Sequence, residues 1–137
     1  MQLIFLSDSF YTKHRNDKEI LQKKDRPYAC LSVQIDGNTF AIPFRHHIEH
    51  KYGFFTFGTC GLDYTKSVII EAEDIGTGTP TIDQKEYNAL RGKDSMIITG
   101  LKKYIRIYKK ALSRPNDRNY DAIRKYSALQ YFKSKLK

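Results

Sequence analysis

Cysteine is scarce and unclustered. Only Cys30 and Cys60 occur, with no CxxC pair and no Cys/His set at zinc spacing, so a structural metal site has little support and a disulfide scaffold is not in view. Two buried free thiols are the simple reading, and one disulfide is the alternative. No stretch approaches the roughly 18 continuous apolar residues of a membrane span. The opening run Met1-Gln2-Leu3-Ile4-Phe5-Leu6 has no basic flank before it and is ended by Ser7-Asp8-Ser9. It reads as a strand and not as an export signal, which gives a cytoplasmic expectation. Internal repeats and low-complexity tracts are missing too.

Acidic residues are nearly missing from one end. Residues 101–137 hold 12 Lys+Arg against 2 Asp+Glu, net +10, whereas residues 1–100 hold 12 against 13, net −1. The whole +9 of the chain therefore comes from its C-terminal quarter. A surface so concentrated attracts polyanions through phosphate neutralisation and counterion release. Charge alone does not separate RNA from DNA or anionic lipid.

At 137 residues the chain is expected to form a single domain, residues 1–137, since separate domains need roughly 100 residues each. Its 40% hydrophobic content is enough for a core and argues against disorder. After the first strand, Ser9 is expected to cap a helix running through Thr12, His14 and Ile20-Leu21 to the charged stretch before Pro27. Tyr28 to Ile35 alternates apolar and polar residues, Asp36-Gly37-Asn38 makes a tight turn, and Thr39 to Ile42 runs back. That pattern is a β-hairpin, ended or edged by Pro43. Tyr52–Phe57 and Lys66–Ala72 read as further strands, with Gly58 to Tyr64 between them and a loop at Gly76–Pro80. Five short strands predict an α+β fold around a small, strongly bent antiparallel sheet or barrel.

From Thr81 the period changes. A short helix is expected over Ile82–Leu90, interrupted by Gly92, and then two long C-terminal helices. In the first, Ile97, Ile98, Leu101, Tyr104, Ile105, Tyr108, Ala111 and Leu112 share a face, with Lys102, Lys103, Arg106, Lys109 and Lys110 largely opposite. Gly100 weakens it without breaking it. Ser113-Arg114-Pro115-Asn116 is the turn. The second is expected from about Asp117 to Phe132, with Tyr120, Ile123, Tyr126, Leu129 and Phe132 spaced by three.

Three of the four histidines lie in Arg45-His46-His47-Ile48-Glu49-His50. Cleaving RNA without a metal requires a base for the 2′-hydroxyl proton, an acid for the leaving 5′-oxygen and cations for the phosphorane charge, roles that histidine and arginine suit. His46 and His50 share a face if the segment is helical, whereas His46 and His47 diverge. The same i,i+4 spacing occurs in zinc sites, but Glu49 stands in the wrong place for HExxH. A solvated histidine turn with no role is the bland alternative. Lys66, opening a strand, is a candidate phosphate contact or an ordinary strand-end charge. Arg26 and Tyr28 are candidates to contact phosphate and to stack on a base, although Tyr28 suits the core equally. On the basic helix the cations carry the binding expectation, because periodicity puts Tyr104 and Tyr108 in the core.

Four stretches together resemble the toxins of type III toxin–antitoxin systems, the group of ToxN, AbiQ, TenpN and CptN, with the TenpN and CptN branch most similar. They are Arg26-Pro27-Tyr28, Phe40-Ala41-Ile42-Pro43-Phe44-Arg45-His46-His47-Ile48-Glu49-His50, Gly61-Leu62-Asp63-Tyr64-Thr65-Lys66, and Tyr126-Ser127-Ala128-Leu129-Gln130-Tyr131-Phe132. The resemblance implies a compact β-barrel core like that of the Kid and MazF toxins, elaborated by helices. It also implies a metal-independent endoribonuclease that needs no cofactor and leaves a 2′,3′-cyclic phosphate. The implied partners are cellular RNA substrates and an inhibitory antitoxin RNA of repeated pseudoknots, held with toxin in a closed hetero-oligomer. ToxN-like members carry a Thr-Ser pair in the active-site turn where this chain has Arg45 and His46, so the hydroxyl roles do not carry over.

The site expected on these grounds has Arg45 and Lys66 at the scissile phosphate and His46 or His50 moving protons. Arg26, Tyr28, His47, Tyr52, Lys102, Lys103, Arg106, Lys109, Lys110 and Arg114 are expected to bind RNA, and no residue a metal. Two other readings stay open. One is a non-catalytic RNA-binding module that uses the basic C-terminal helices, and the other a domain whose basic helices meet an acidic protein.

Overall fold

A computed structural model describes residues 1–23 and 28–136. The fold is α+β, with one six-stranded antiparallel sheet and several helices. Its strands are β1 (Gln2–Phe5), β2 (Ala29–Ile35), β3 (Asn38–Arg45), β4 (Gly53–Phe57), β5 (Cys60–Asp63) and β6 (Val68–Ile70). Asp36 and Gly37 both have positive φ, 51° and 83°, the conformation a two-residue hairpin turn demands. Ile35 and Asn38 close that turn, and the β2–β3 ladder runs from them to Cys30 and Pro43.

β3 is the hub. One edge pairs with β2, while the other pairs with β6 over Thr39–Ala41 and with β5 over Phe44–Arg45. The strand therefore runs through Pro43 instead of ending there. Counting from the turn, Pro43 falls in a non-hydrogen-bonded pair with Cys30, and its missing N–H lies in the gap between the β6 and β5 pairings. The strand order is β1-β2-β3-β5-β4 with β6 also on β3. Among the described residues β1 and β4 remain edges, so the sheet is open and the expected barrel is not closed.

The sixth strand, β5, lies in the stretch read as a connection. Gly58 (φ 54°) turns β4 into β5, and the register slips between Phe55 and Phe57. Gly61 belongs to this strand because a Cβ there would stand 2.2 Å from the Phe54 carbonyl oxygen.

The helices are α1 (Asp8–Lys13), α2 (Gln84–Leu90), α3 (Asp94–Ser113) and α4 (Asp121–Tyr126). α1 is shorter than expected and is capped by Ser7, whose Oγ accepts from Phe10 N–H at 3.1 Å. It stops at His14, whose carbonyl accepts from Gln22 Nε2 and whose ring is 2.7 Å from Asp17. α3 is the long helix the periodicity predicts. Gly100 sits where Tyr64 crosses it: the Tyr64 hydroxyl donates to the Ile97 carbonyl at 2.9 Å, and a Cβ at Gly100 would stand 2.4 Å from that hydroxyl.

A second long helix does not form. In its place 3₁₀ turns at Arg118–Tyr120, Ala128–Tyr131 and Lys133–Lys135 flank the six residues of α4. A strict spacing of three slips about 60° around an α-helix at each step, so it cannot keep one face buried; it is the period of the 3₁₀ turn. Ser127, in extended conformation, breaks the chain, and its Oγ accepts from both Leu129 N–H and the Tyr104 hydroxyl. Arg124 closes the α3–α4 corner by donating to the carbonyls of Ala111, Arg114 and Asp117.

A single core joins both ends of the chain. Leu31, Val33, Phe40, Ile42, Phe44 and Leu62 from the sheet share it with Ile97, Leu101, Tyr104 and Tyr108 of α3. Among the described residues, no helix is long and apolar enough to cross a membrane.

Candidate functional site

Thr39, Ala41, Pro43 and Arg45 alternate onto the other face of β3. Where β3 meets β5, that face carries a buried carboxylate. Asp63 is fully buried at the end of β5, and both of its carboxylate oxygens are engaged. Oδ2 accepts from Arg45 Nη1 at 2.8 Å. Oδ1 accepts from Thr65 N–H at 2.9 Å and from the Thr65 hydroxyl at 2.6 Å, and His50 Nε2 stands 3.1 Å from Oδ1 and 3.3 Å from Thr65 Oγ1. Burial alone pushes the Asp63 carboxyl up, but the hydrogen bonds from His50, Thr65 and Arg45 outweigh it and hold it below its ordinary 3.8.

The same contacts fix the His50 tautomer. Tyr52 N–H donates to His50 Nδ1 at 3.0 Å, so the proton of the neutral ring sits on Nε2, facing Asp63. Both ring nitrogens are thus committed inside the protein. His46 is different: exposed, it meets only Cys60 Sγ, 3.1 Å from its Nδ1, and its Nε2 makes no hydrogen bond with the described residues. Either atom of that pair can donate. The segment that carries the histidines is an irregular turn, not a helix, so His46 and His50 do not share a helical face. His47, exposed with φ 56°, forms the bend, and Ile48 N–H donates to the Thr59 carbonyl and pins the turn against the start of β5.

Arg45, His50 and Tyr52 are brought together here, whereas the His46 ring lies against Cys60, whose side chain alternates onto the face of β5 opposite Gly61 and Asp63. Tyr52 packs on His50 and, on its other side, on Tyr104 of α3, with ring centroids 6.0 and 5.6 Å apart. Lys66 is not part of this group. Its side chain, 13% exposed, donates to Glu19 Oε1 and to the Tyr126 carbonyl, both at 2.8 Å. With Tyr28 it lines a small cavity of about 10 Å³, floored by Ala41, Pro43 and Val68, about the room one water takes. Arg26 lies outside the described residues.

Lys102, Lys103, Arg106, Lys109 and Lys110 are all exposed on α3, and Arg114 follows at its C-cap. None of the six side chains forms an ion pair or hydrogen bond with the described residues. The five helical cations span about 12 Å of the axis. They point away from Leu101, Tyr104 and Tyr108, which are buried. Because Tyr104 faces Tyr52 and His50, a helix about 10 Å across stands between the cation stripe and the histidine turn.

No family model, curated protein or solved structure matches the chain.

Asp63, Thr65 and Cys60 are not among the residues expected at the site. Asp63-Tyr64-Thr65 is a local capping signal, Asp before a 3₁₀ turn (Tyr64–Lys66), and it foretells the Thr65 bonds. Nothing local foretells Arg45 and His50, 18 and 13 residues upstream, on the same carboxylate. Both thiols are free, as expected, but only one is buried. Cys30 is buried, which pushes its thiol up to about 12, whereas Cys60 is half-exposed beside His46. Among the described residues no three His, Cys, Asp or Glu side chains converge as a metal site.

Proposed function

We propose that the protein is a metal-independent endoribonuclease, a toxin of the type III toxin–antitoxin kind, cytoplasmic, inhibited by a repeated pseudoknot RNA in a closed protein–RNA assembly. One observation carries the nuclease reading: a guanidinium held in place by a fully buried carboxylate is followed directly in the chain by an exposed imidazole with a free nitrogen. Arg45 has spare N–H donors for a phosphate, since only Nη1 is spent on Asp63. His46 Nε2 takes the proton from the 2′-hydroxyl. The 2′-oxygen attacks phosphorus, the bond to the 5′-oxygen breaks, and the imidazolium returns its proton to that oxygen. The products are a 2′,3′-cyclic phosphate and a 5′-hydroxyl, with no external reactant. His50 and Asp63 act as positioning residues, and Lys66 supports the fold through Glu19. A core of the Kid and MazF type would bend at β3, which feeds two partners along one edge.

The test is RNA cleavage by the purified protein in excess EDTA. Cleavage that persists and leaves cyclic-phosphate ends supports the mechanism. Cleavage abolished by the chelator and restored by a divalent ion sinks it.

The bare cations of α3 favour a second, compatible activity, sequence-independent RNA binding. Each phosphate neutralised contributes about −0.9 to the slope of log K against log salt on a duplex. Lys102→Ala/Lys103→Ala is expected to weaken binding uniformly across sequences and to flatten that slope by about 2. An unchanged slope would take the stripe out of the interface. RNA bound with a steep slope but left intact would favour a binding module without catalysis.

A further inference from the structure

The register places one more side chain at the site. Arg45 is directly opposite Gly61, and Gly61 directly opposite Phe55. Opposed residues of an antiparallel sheet project on the same face, so Arg45 and Phe55 flank Gly61, which has no side chain to keep them apart. Two strand spacings, about 10 Å, separate their backbones. The ring leans toward the acidic end of the cluster: a Cβ on Gly53, the residue opposite Asp63, would stand 3.7 Å from Phe55 Cζ.

Phe55 is 39% exposed, on an edge strand. No aromatic ring or cation among the described residues is stacked on it, whereas Lys85 lies 5.9 Å over the ring of Phe57 and Lys51 lies 5.6 Å over Tyr52. A bare phenyl face two strands from an arginine, on a strand with a lysine at each end, matches an unpaired nucleotide: base on the ring, phosphate at the guanidinium.

We propose that Phe55 is the stacking platform for a single-stranded nucleobase whose phosphate meets Arg45. The inference rests on the nuclease reading for the placement of the phosphate. It adds a substrate class, unpaired RNA, and separates two modes of contact. The α3 stripe has no exposed aromatic and grips only backbone, while the β4 edge reads a splayed base by stacking. Selection for the unpaired state follows, because a base inside a duplex presents no free π-face.

The chain contains no tryptophan, so Phe55→Trp creates a lone indole at the platform, whose emission is excited selectively over the tyrosines. Made in a His46→Ala background to keep RNA intact, it is expected to be quenched by oligouridylate and oligoadenylate. Duplex RNA and heparin, which offer charge without open bases, are expected not to quench it. Phe55→Ala is expected to weaken single-strand binding about tenfold, the effect of losing one stacked base, while duplex binding stays within twofold. Phe55→Tyr should restore it. Quenching by heparin as strong as by oligouridylate, or wild-type single-strand affinity in Phe55→Ala, overturns the platform. Quenching without cleavage by the wild-type chain upholds the platform and removes the nuclease reading. Cleavage with no quenching and no Phe55→Ala defect does the reverse.

Discussion

Asp63→Ala is expected to lower folding stability by about 3–5 kcal/mol at neutral pH, or roughly 10–20 °C in Tm for a chain of this length. The substitution does more than delete an ion pair. It leaves Arg45 Nη1, His50 Nε2–H and both Thr65 donors without their acceptor, in a place where Asp63 itself is fully buried. Arg45 and His50 are 31% and 32% exposed, so water recovers part of their loss and pulls the cost toward the lower figure. Asp63→Asn keeps the shape and one acceptor, but it loses the charge that holds Arg45 and is expected to fall between.

The acid side of this prediction has a fixed sign. The folded carboxyl lies below its ordinary 3.8, so its contribution is present in full above that value and is lost as pH falls from 3.8 through the lowered folded value. Melting curves from pH 7 down to strongly acidic conditions check it: the gap between wild type and Asp63→Asn should close in that window. A constant gap, or an Asp63→Ala protein melting within about 2 °C of wild type at pH 7, would show that the cluster does not stabilise the fold.

What was legible in the sequence is what local rules determine. Asp36-Gly37 announces a hairpin because two positive φ angles in a row suit few other pairs. The apolar and basic faces of α3 are legible because one helix carries both at a period of 3.6. The Arg45 to His50 turn stands out on composition alone. Where the reading failed, a distant partner decided. Gly61 looks like loop punctuation until the Phe54 carbonyl is seen occupying the place of its Cβ. The second helix fails at Ser127, whose hydroxyl is recruited by Tyr104, 23 residues earlier. The site divides the same way: its exposed members are visible as a cluster of types, while the buried acid that orients two of them has only its capping bond to reveal it.

Removing either reacting group is expected to cost most of the cleavage activity. His46→Ala should lower kcat by about 10²–10⁴, the range for loss of a general acid–base, and Arg45→Ala by about 10²–10³, the range for one donor to the developing charge. Both proteins should keep the wild-type circular dichroism spectrum, since both side chains reach solvent. Arg45→Lys is expected to restore only part of the rate: a point charge reaches Asp63 or the phosphate, and the planar fork reaches both. His50 separates the two readings of the turn. Its Nδ1 is taken by Tyr52 N–H and its Nε2 by Asp63, so a proton from substrate would have to displace one of them. His50→Ala is therefore expected to fall well short of His46→Ala in its effect on kcat and to lower the melting temperature, whereas His46→Ala leaves the melting temperature near wild type. The reverse ranking, with His50→Ala inactive and His46→Ala fully active, would move the proton transfer to His50 and require the turn to open when RNA binds.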